Sequence, residues 1–201
     1  FYLGGAIKKD RYSLSMHKPV KTEYILQQVD FSDRKTINNY DHTNKIVADS
    51  IDLSNGLLFM SEPFDESFEF NGNFSGKLHF STNKKDMDYS VNVFELMPNG
   101  KYFYLTYFMG RASYASNNNS RKLLAPGKSE RISFTNSYMT SKKISKGSRL
   151  VILLNINKSP YEQINYGTGK DVSDEKIEDA KNPMKIRWYN DSYIKIPIWK
   201  G

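Results

Sequence analysis

The chain has no cysteine in its 201 residues. That removes disulfide staples, thiolate zinc sites and a cysteine nucleophile, and it leaves the redox compartment open. No apolar run approaches the ~18 residues that a membrane-crossing helix needs, so no membrane partner is expected. Helical periodicity is nearly missing as well, and only Val172 to Ala180 could turn as a short helix. Histidine is scarce: His17, His42 and His79 lie too far apart for a two-histidine zinc pair, and all three are expected on the surface. No signal peptide opens at Phe1, so the cytoplasm is the favoured compartment, and the start without Met points to a fragment of a longer protein.

Charge of one sign is present but not concentrated. The net charge is +7, its basic excess lies in residues 141–201, and no Lys/Arg block is longer than two residues. That pattern describes a solvated, mildly basic surface, not a groove for nucleic acid.

What the chain does hold is strand formers. Aromatics reach 14%, and β-branched and aromatic residues alternate with Lys, Asn and Ser, as in an all-β domain with polar turns. From Leu57 onward short strands recur: Leu57 to Met60, Ser67 to Phe70, then Phe74 to Phe80. Tyr89, Val91 and Val93 share a face before Phe94 and Leu96 switch the pattern, which marks a bulge. Tyr102 to Met109 is apolar on both faces and is expected to be a covered central strand. Arg149 to Ile156 contains the best core run, and Met184 to Trp188 and Ile194 to Ile198 close the domain. About nine strands without helical period argue for a two-sheet antiparallel jelly-roll β-sandwich over residues 57–201. Residues 1–56 lack sustained periodicity, carry polar clusters such as Ser32-Asp33-Arg34-Lys35 and Ile37-Asn38-Asn39-Tyr40-Asp41, and offer one short strand at Glu23 to Leu26. They are expected as an extended N-terminal arm, packed against the sandwich or against another domain.

Candidate chemistry fails at specific positions. Gly72-Asn73-Phe74-Ser75-Gly76 comes nearest to the Gly-x-Ser-x-Gly elbow of α/β-hydrolases, but its serine is one place late and falls in a strand. Gly167-Thr168-Gly169-Lys170 ends like a phosphate loop, yet Ile164 and Asp171 stand where Gly and Ser/Thr are required. Asp86 and Asp88 could begin an EF-hand only if Val91 were Gly and Met97 were Glu. No catalytic residue, no cofactor and no metal set is therefore expected, and the chain alone should hydrolyse nothing. A calcium site of a non-EF kind is the other use for the two aspartates. Carboxylates at a strand start more readily accept turn amides or pair with a cation. The tendency of sequential strands to pair sets Asp88 opposite position 110 or 111 across the Pro98-Asn99-Gly100 turn. Arg111 is then expected within salt-bridge reach of Asp86 or Asp88, in a partly buried group.

A set of ordered signatures goes further. They are Ser61-Glu62-Pro63-Phe64, Phe70-Asn71-Gly72, Asp86-Met87-Asp88-Tyr89, Pro98-Asn99-Gly100, Leu105-Thr106, Gly110-Arg111-Ala112-Ser113-Tyr114 and Ala125-Pro126-Gly127. Lys146-Gly147-Ser148-Arg149-Leu150, Asn165-Tyr166-Gly167-Thr168-Gly169 and Ser192 to Ile198 follow. In this order the chain resembles the C-terminal domain of the X-prolyl dipeptidyl-peptidase, cocaine esterase and glutaryl acylase (CocE/NonD) hydrolases. Asn99 stands where Asp is usual, and Ser148 where His is frequent. The resemblance implies a galactose-binding-like jelly roll that braces an absent α/β-hydrolase domain, shapes access to its site and leaves oligomer contacts open. The parent would be a serine hydrolase of ester or amide bonds. Asp86, Asp88, Arg111, Tyr114, Asn99 and Gly100 are its structural signature here. The alternative is a carbohydrate- or surface-binding module using exposed aromatics such as Trp188 and Trp199.

Overall fold

The computed structural model describes residues 1–8, 11–36, 45–54, 56–159 and 161–199. The N-terminal part supplies β1 (Tyr2–Lys8), β2 (Arg11–Ser15), β3 (Tyr24–Val29) and β4 (Val47–Ala48). β5 (Leu57–Met60), β6 (Phe68–Gly72), β7 (Ser75–Thr82), β8 (Asp88–Leu96) and β9 (Tyr102–Arg111) follow. Then come β10 (Ser129–Thr135), β11 (Thr140–Ile144), β12 (Arg149–Ile156), β13 (Met184–Tyr189), β14 (Tyr193–Lys195) and β15 (Ile198–Trp199). The segment expected as a weak helix forms two 3₁₀ turns, Val172–Asp174 and Ile177–Lys181.

One long sheet runs in the order β3-β13-β7-β14-β1-β2-β5-β12-β8-β9-β4, with β10 on β7, and a small sheet runs β11-β6-β15. Pairings among the described strands are antiparallel except that β2 lies parallel to β5. The long sheet folds over on itself, so that β8, β9 and β12 share one core with β7, β10 and β13. Phe59, Phe70, Phe74 and Phe80 are fully shielded there, and each such side chain contributes about 1.5–3 kcal/mol. Phe108 stacks on Phe134 across the layers at 4.6 Å. The result is an antiparallel jelly-roll sandwich.

The N-terminal stretch is extended but woven in. β1 pairs with β2 and β14, β2 with β5, and β3 with the whole of β13. Lys158, buried just after β12, donates its amine to the Asp30 carbonyl at 2.8 Å and fixes the end of β3 against the core. Periodicity was weak there because few side chains of these strands are buried: β2 buries only Leu14, and β3 buries only Gln27 and Val29. The Ile37 to Asp41 cluster and His42 lie outside the described residues.

Two expectations along β8 and β9 need correction. The pattern switch at Phe94 does accompany an irregular register, since Val93 faces Thr106 and Phe94 faces Tyr104. However, the extra residue is Leu105 on β9. β8 itself keeps alternating, and Phe94 turns outward into a second apolar cluster with Leu58, Val151 and Leu153. The 45–52 segment covers that cluster and leaves a cavity of about 390 Å³ lined by Phe94, Tyr102 and Tyr104. β9 is not covered on both sides: most of it is half-exposed. Its outer neighbour is the two-residue β4, which shields only the Tyr102 end.

Candidate functional site

Asp88 opens β8 and Arg111 closes β9, so the hairpin register sets them directly opposite one another. Arg111 donates from Nε to Asp88 Oδ1 at 2.7 Å and from Nη2 to Oδ2 at 2.8 Å. This fork-on-carboxylate geometry is the strongest form of the pair. The hydrogen bond to Asp88 raises the guanidinium above its ordinary pKa and outweighs the opposing effect of burial. Asn165 adds a third donor to Asp88 at 2.9 Å.

Asp86 takes a different arginine. It is fully buried, and its Oδ1 accepts the backbone amides of Met87 and Ser113, both at 2.9 Å. Its Oδ2 accepts the Ser113 hydroxyl at 2.7 Å and Arg121 Nη2 at 3.1 Å. Arg121 reaches on to the Lys170 carbonyl at 2.6 Å. Gly167, at φ +77°, comes so close that a Cβ there would stand 2.6 Å from the Asp86 carbonyl oxygen. Three of the sequence signatures, at 86–89, 110–114 and 165–169, thus converge on one hydrogen-bonded knot at the rim of the sandwich. All four oxygens of Asp86 and Asp88 accept hydrogen bonds from the protein, and each carboxylate is matched by a guanidinium. The knot is a clamp. Among the described residues no group of three or more His, Asp or Glu is placed to hold a metal.

The other signature residues lie elsewhere. Asn99 and Gly100 form the turn at the far end of the same hairpin. Gly100 sits at φ +83° and donates to the Met97 carbonyl at 2.9 Å, while Asn99 Oδ1 accepts the Lys101 amide at 3.1 Å. Tyr114 is half-buried on the 3₁₀ turn after Arg111, outside the clamp's hydrogen bonds. Near the Asn99 end the sequence reading missed Glu95, which is 1% exposed and points into the core. It accepts Lys142 Nζ at 2.5 Å, the Ser148 hydroxyl at 2.6 Å and the Ser145 amide at 3.3 Å. The signal was present: Glu95 continues the inward series of Tyr89, Val91 and Val93.

The X-Pro dipeptidyl-peptidase C-terminal non-catalytic domain matches residues 1–191. The chain belongs to that family. No curated protein matches the sequence. Among solved structures, an aminopeptidase from the marine sediment archaeon Thaumarchaeota archaeon superposes with a TM-score of 0.78 at 18% identity. The match covers 99% of this chain and 36% of that one. An α-amino acid ester hydrolase gives 0.74 at 18% identity, over 98% of this chain and 36% of its own. A CocE/NonD family hydrolase from Staphylococcus aureus gives 0.60 at 14%, with the same two coverages. At these identities the likeness shows the fold, and the chain spans about a third of the length of each of these proteins.

Within this non-catalytic domain Ser75 and Trp188 fall where they cannot serve the roles the sequence offered. Ser75 is the first residue of β7, paired with Thr135 and Lys195, and no helix follows it. Trp188, offered by the sequence as a sugar platform, is 1% exposed and donates its indole N–H to Gln27 at 2.8 Å. Trp199 is exposed.

His79 overturns its expectation. His17 is exposed, but His79 is 7% exposed although it points away from the core. The turn between β13 and β14 folds over it. Its ring stacks on Tyr189 at 4.2 Å, its Nδ1 lies 2.5 Å from Asp191 Oδ1, and its Nε2 lies 2.6 Å from Ser129 Oγ. Nothing local in the sequence pointed to this group, because its members come from β7, the start of β10 and the β13–β14 turn.

Proposed function

We propose that this chain braces and shields the catalytic domain of an α/β-hydrolase that cleaves ester or amide bonds, including peptide bonds, through a serine acyl-enzyme. The observation that carries it is the match of residues 1–191 to a non-catalytic family, in a chain that spans 36% of each similar hydrolase or peptidase. Two features support a bracing role. The rim clamp locks three loops into one rigid surface, which is what a docking face needs. The outer face of β9 also presents Met109 and Tyr107, with Tyr107 stacked on the exposed Tyr138 at 5.5 Å. Exposed apolar side chains grouped in this way are what a docking face offers a partner.

The test is hydrolysis of p-nitrophenyl esters and Ala-Pro anilides by the parent protein, by its upstream part alone, and by that part mixed with this chain. The upstream part should lose stability or activity on its own and regain it on mixing. Equal activity and equal melting temperature with and without this chain would overturn the bracing role.

A further inference from the structure

The side chains around His79 stand in the order nucleophile, base and orienting carboxylate. We propose that Ser129 is an activated serine that accepts an acyl or phosphonyl group from small donors with good leaving groups, such as aryl esters. With the ring proton on Nδ1 and donated to Asp191, the Nε2 lone pair is aimed at the Ser129 hydroxyl 2.6 Å away.

The imidazole is held in that pose from several sides. Tyr189 stacks on one face of the ring. The Ser192 hydroxyl accepts the His79 backbone amide at 2.9 Å and donates to the His79 carbonyl at 3.1 Å. Asp191 is fixed in turn by Arg131 Nη2 at 3.1 Å. Burial works to raise the Asp191 carboxyl, but the hydrogen bonds from His79 and Arg131 outweigh it and keep its pKa below the ordinary 3.8. An ionised carboxylate behind Nδ1 is what stabilises the imidazolium formed when the base takes a proton. Ser129 itself is exposed at the start of β10, so a donor can reach Oγ directly from solvent.

In the reaction, the bond from Ser129 Oγ to the acyl carbon forms as the bond to the leaving phenoxide oxygen breaks; with a fluorophosphonate the new bond is to phosphorus and fluoride departs. The hydroxyl proton passes to His79 Nε2 and from there to the departing phenoxide. What limits the site is the oxyanion. The nearby backbone amides of Gly127 and Lys128 already donate to Thr82 and Ala125 carbonyls, so they give no preorganised oxyanion hole. The arrangement therefore suits one round of acylation by reactive donors, not sustained amide hydrolysis, and it sits without conflict in a non-catalytic domain.

The experiment treats the 201-residue chain with a fluorophosphonate probe and, separately, with p-nitrophenyl acetate, and reads intact mass and peptide map. One adduct is expected on Ser129, and none on Ser129→Ala. His79→Gln should slow labelling by about 100-fold or more, the usual range for loss of a positioned base. Asp191 is a positioning residue, so Asp191→Asn should slow labelling while Asp191→Glu restores part of the rate, each compared at matched melting temperature. Should His79→Gln fail to fold, the Asp191 pair carries the test. No adduct on Ser129 under excess probe, or labelling unchanged in rate by Asp191→Asn, would leave the three side chains as a structural tie and overturn the proposal.

Discussion

β8 carries a buried carboxylate cluster at each end, and the two are built on different principles. At its start, Asp88 meets the planar fork of Arg111 in two parallel hydrogen bonds, while Asp86 beside it takes two backbone amides, a hydroxyl and a second guanidinium. At its end, Glu95 faces the core and is neutralised by Lys142, a single point charge whose amine also lies 4.5 Å from the Phe103 ring centre. A forked guanidinium fixes direction as well as charge, whereas an ammonium fixes charge alone. The first end should therefore depend on geometry and the second mainly on neutralisation. The loops fit this division: the Arg111 end gathers segments at 86, 113, 121 and 165–170, while the Glu95 end joins only the 142–148 segment to the strand.

The sharpest way to break the comparison is Arg111→Ala, which strands a carboxylate that is 10% exposed. Removing one partner of a buried pair costs about 3–5 kcal/mol. Urea unfolding should show that loss, and a change under ~1 kcal/mol, the value of an exposed pair, would place Arg111 among the solvated charges. Next in size is Gly167→Ala, at the same end. Its φ of +77° and the 2.6 Å approach to the Asp86 carbonyl oxygen predict strain of about 1–3 kcal/mol, seen as a lower melting temperature with unchanged strand content by circular dichroism.

Glu95→Gln sharpens the other side. The amide oxygen can still accept the Ser148 hydroxyl, and Lys142, 23% exposed, can turn to water. The expected cost is about 1 kcal/mol, that of an ordinary hydrogen bond. If denaturant melts give a loss as large as that of Arg111→Ala, the two ends are energetically alike and the distinction fails. Smallest of all is Asn99→Asp in the exposed turn between them. Asp can accept the Lys101 amide in the same way, so the melting midpoint should correspond to a change within ~0.5 kcal/mol.

What was legible in the sequence follows the same division between near and far. Strand positions, the turn at Gly100 and the alternation of Tyr89, Val91 and Val93 follow from local chemistry. The Asp88–Arg111 opposition follows from counting residues across a short turn. Arg121 on Asp86 could not be reached in this way, because no register links position 121 to position 86. Nor could the depth of Glu95 be settled, since its burial depends on the small sheet that brings Lys142 over it. The N-terminal strands were hidden for a related reason: β1 and β2 pair across an irregular register and find their other partners in β14 and β5, far along the chain.

By itself, then, the sequence determined the β class, the hairpin of β8 and β9, and the family. Alternation, turn chemistry and hairpin register act over a few residues and need no knowledge of the rest of the chain. Only the tertiary structure decided that the unpatterned first third joins the sheet, that β9 stays half-open, and that His79, Ser129 and Asp191 meet. His79 is 50 positions from Ser129 and 112 from Asp191. Their contact arises because β10 pairs with one edge of β7 while the β13–β14 turn closes over the other. That is a consequence of layer packing, which no local pattern of residues encodes.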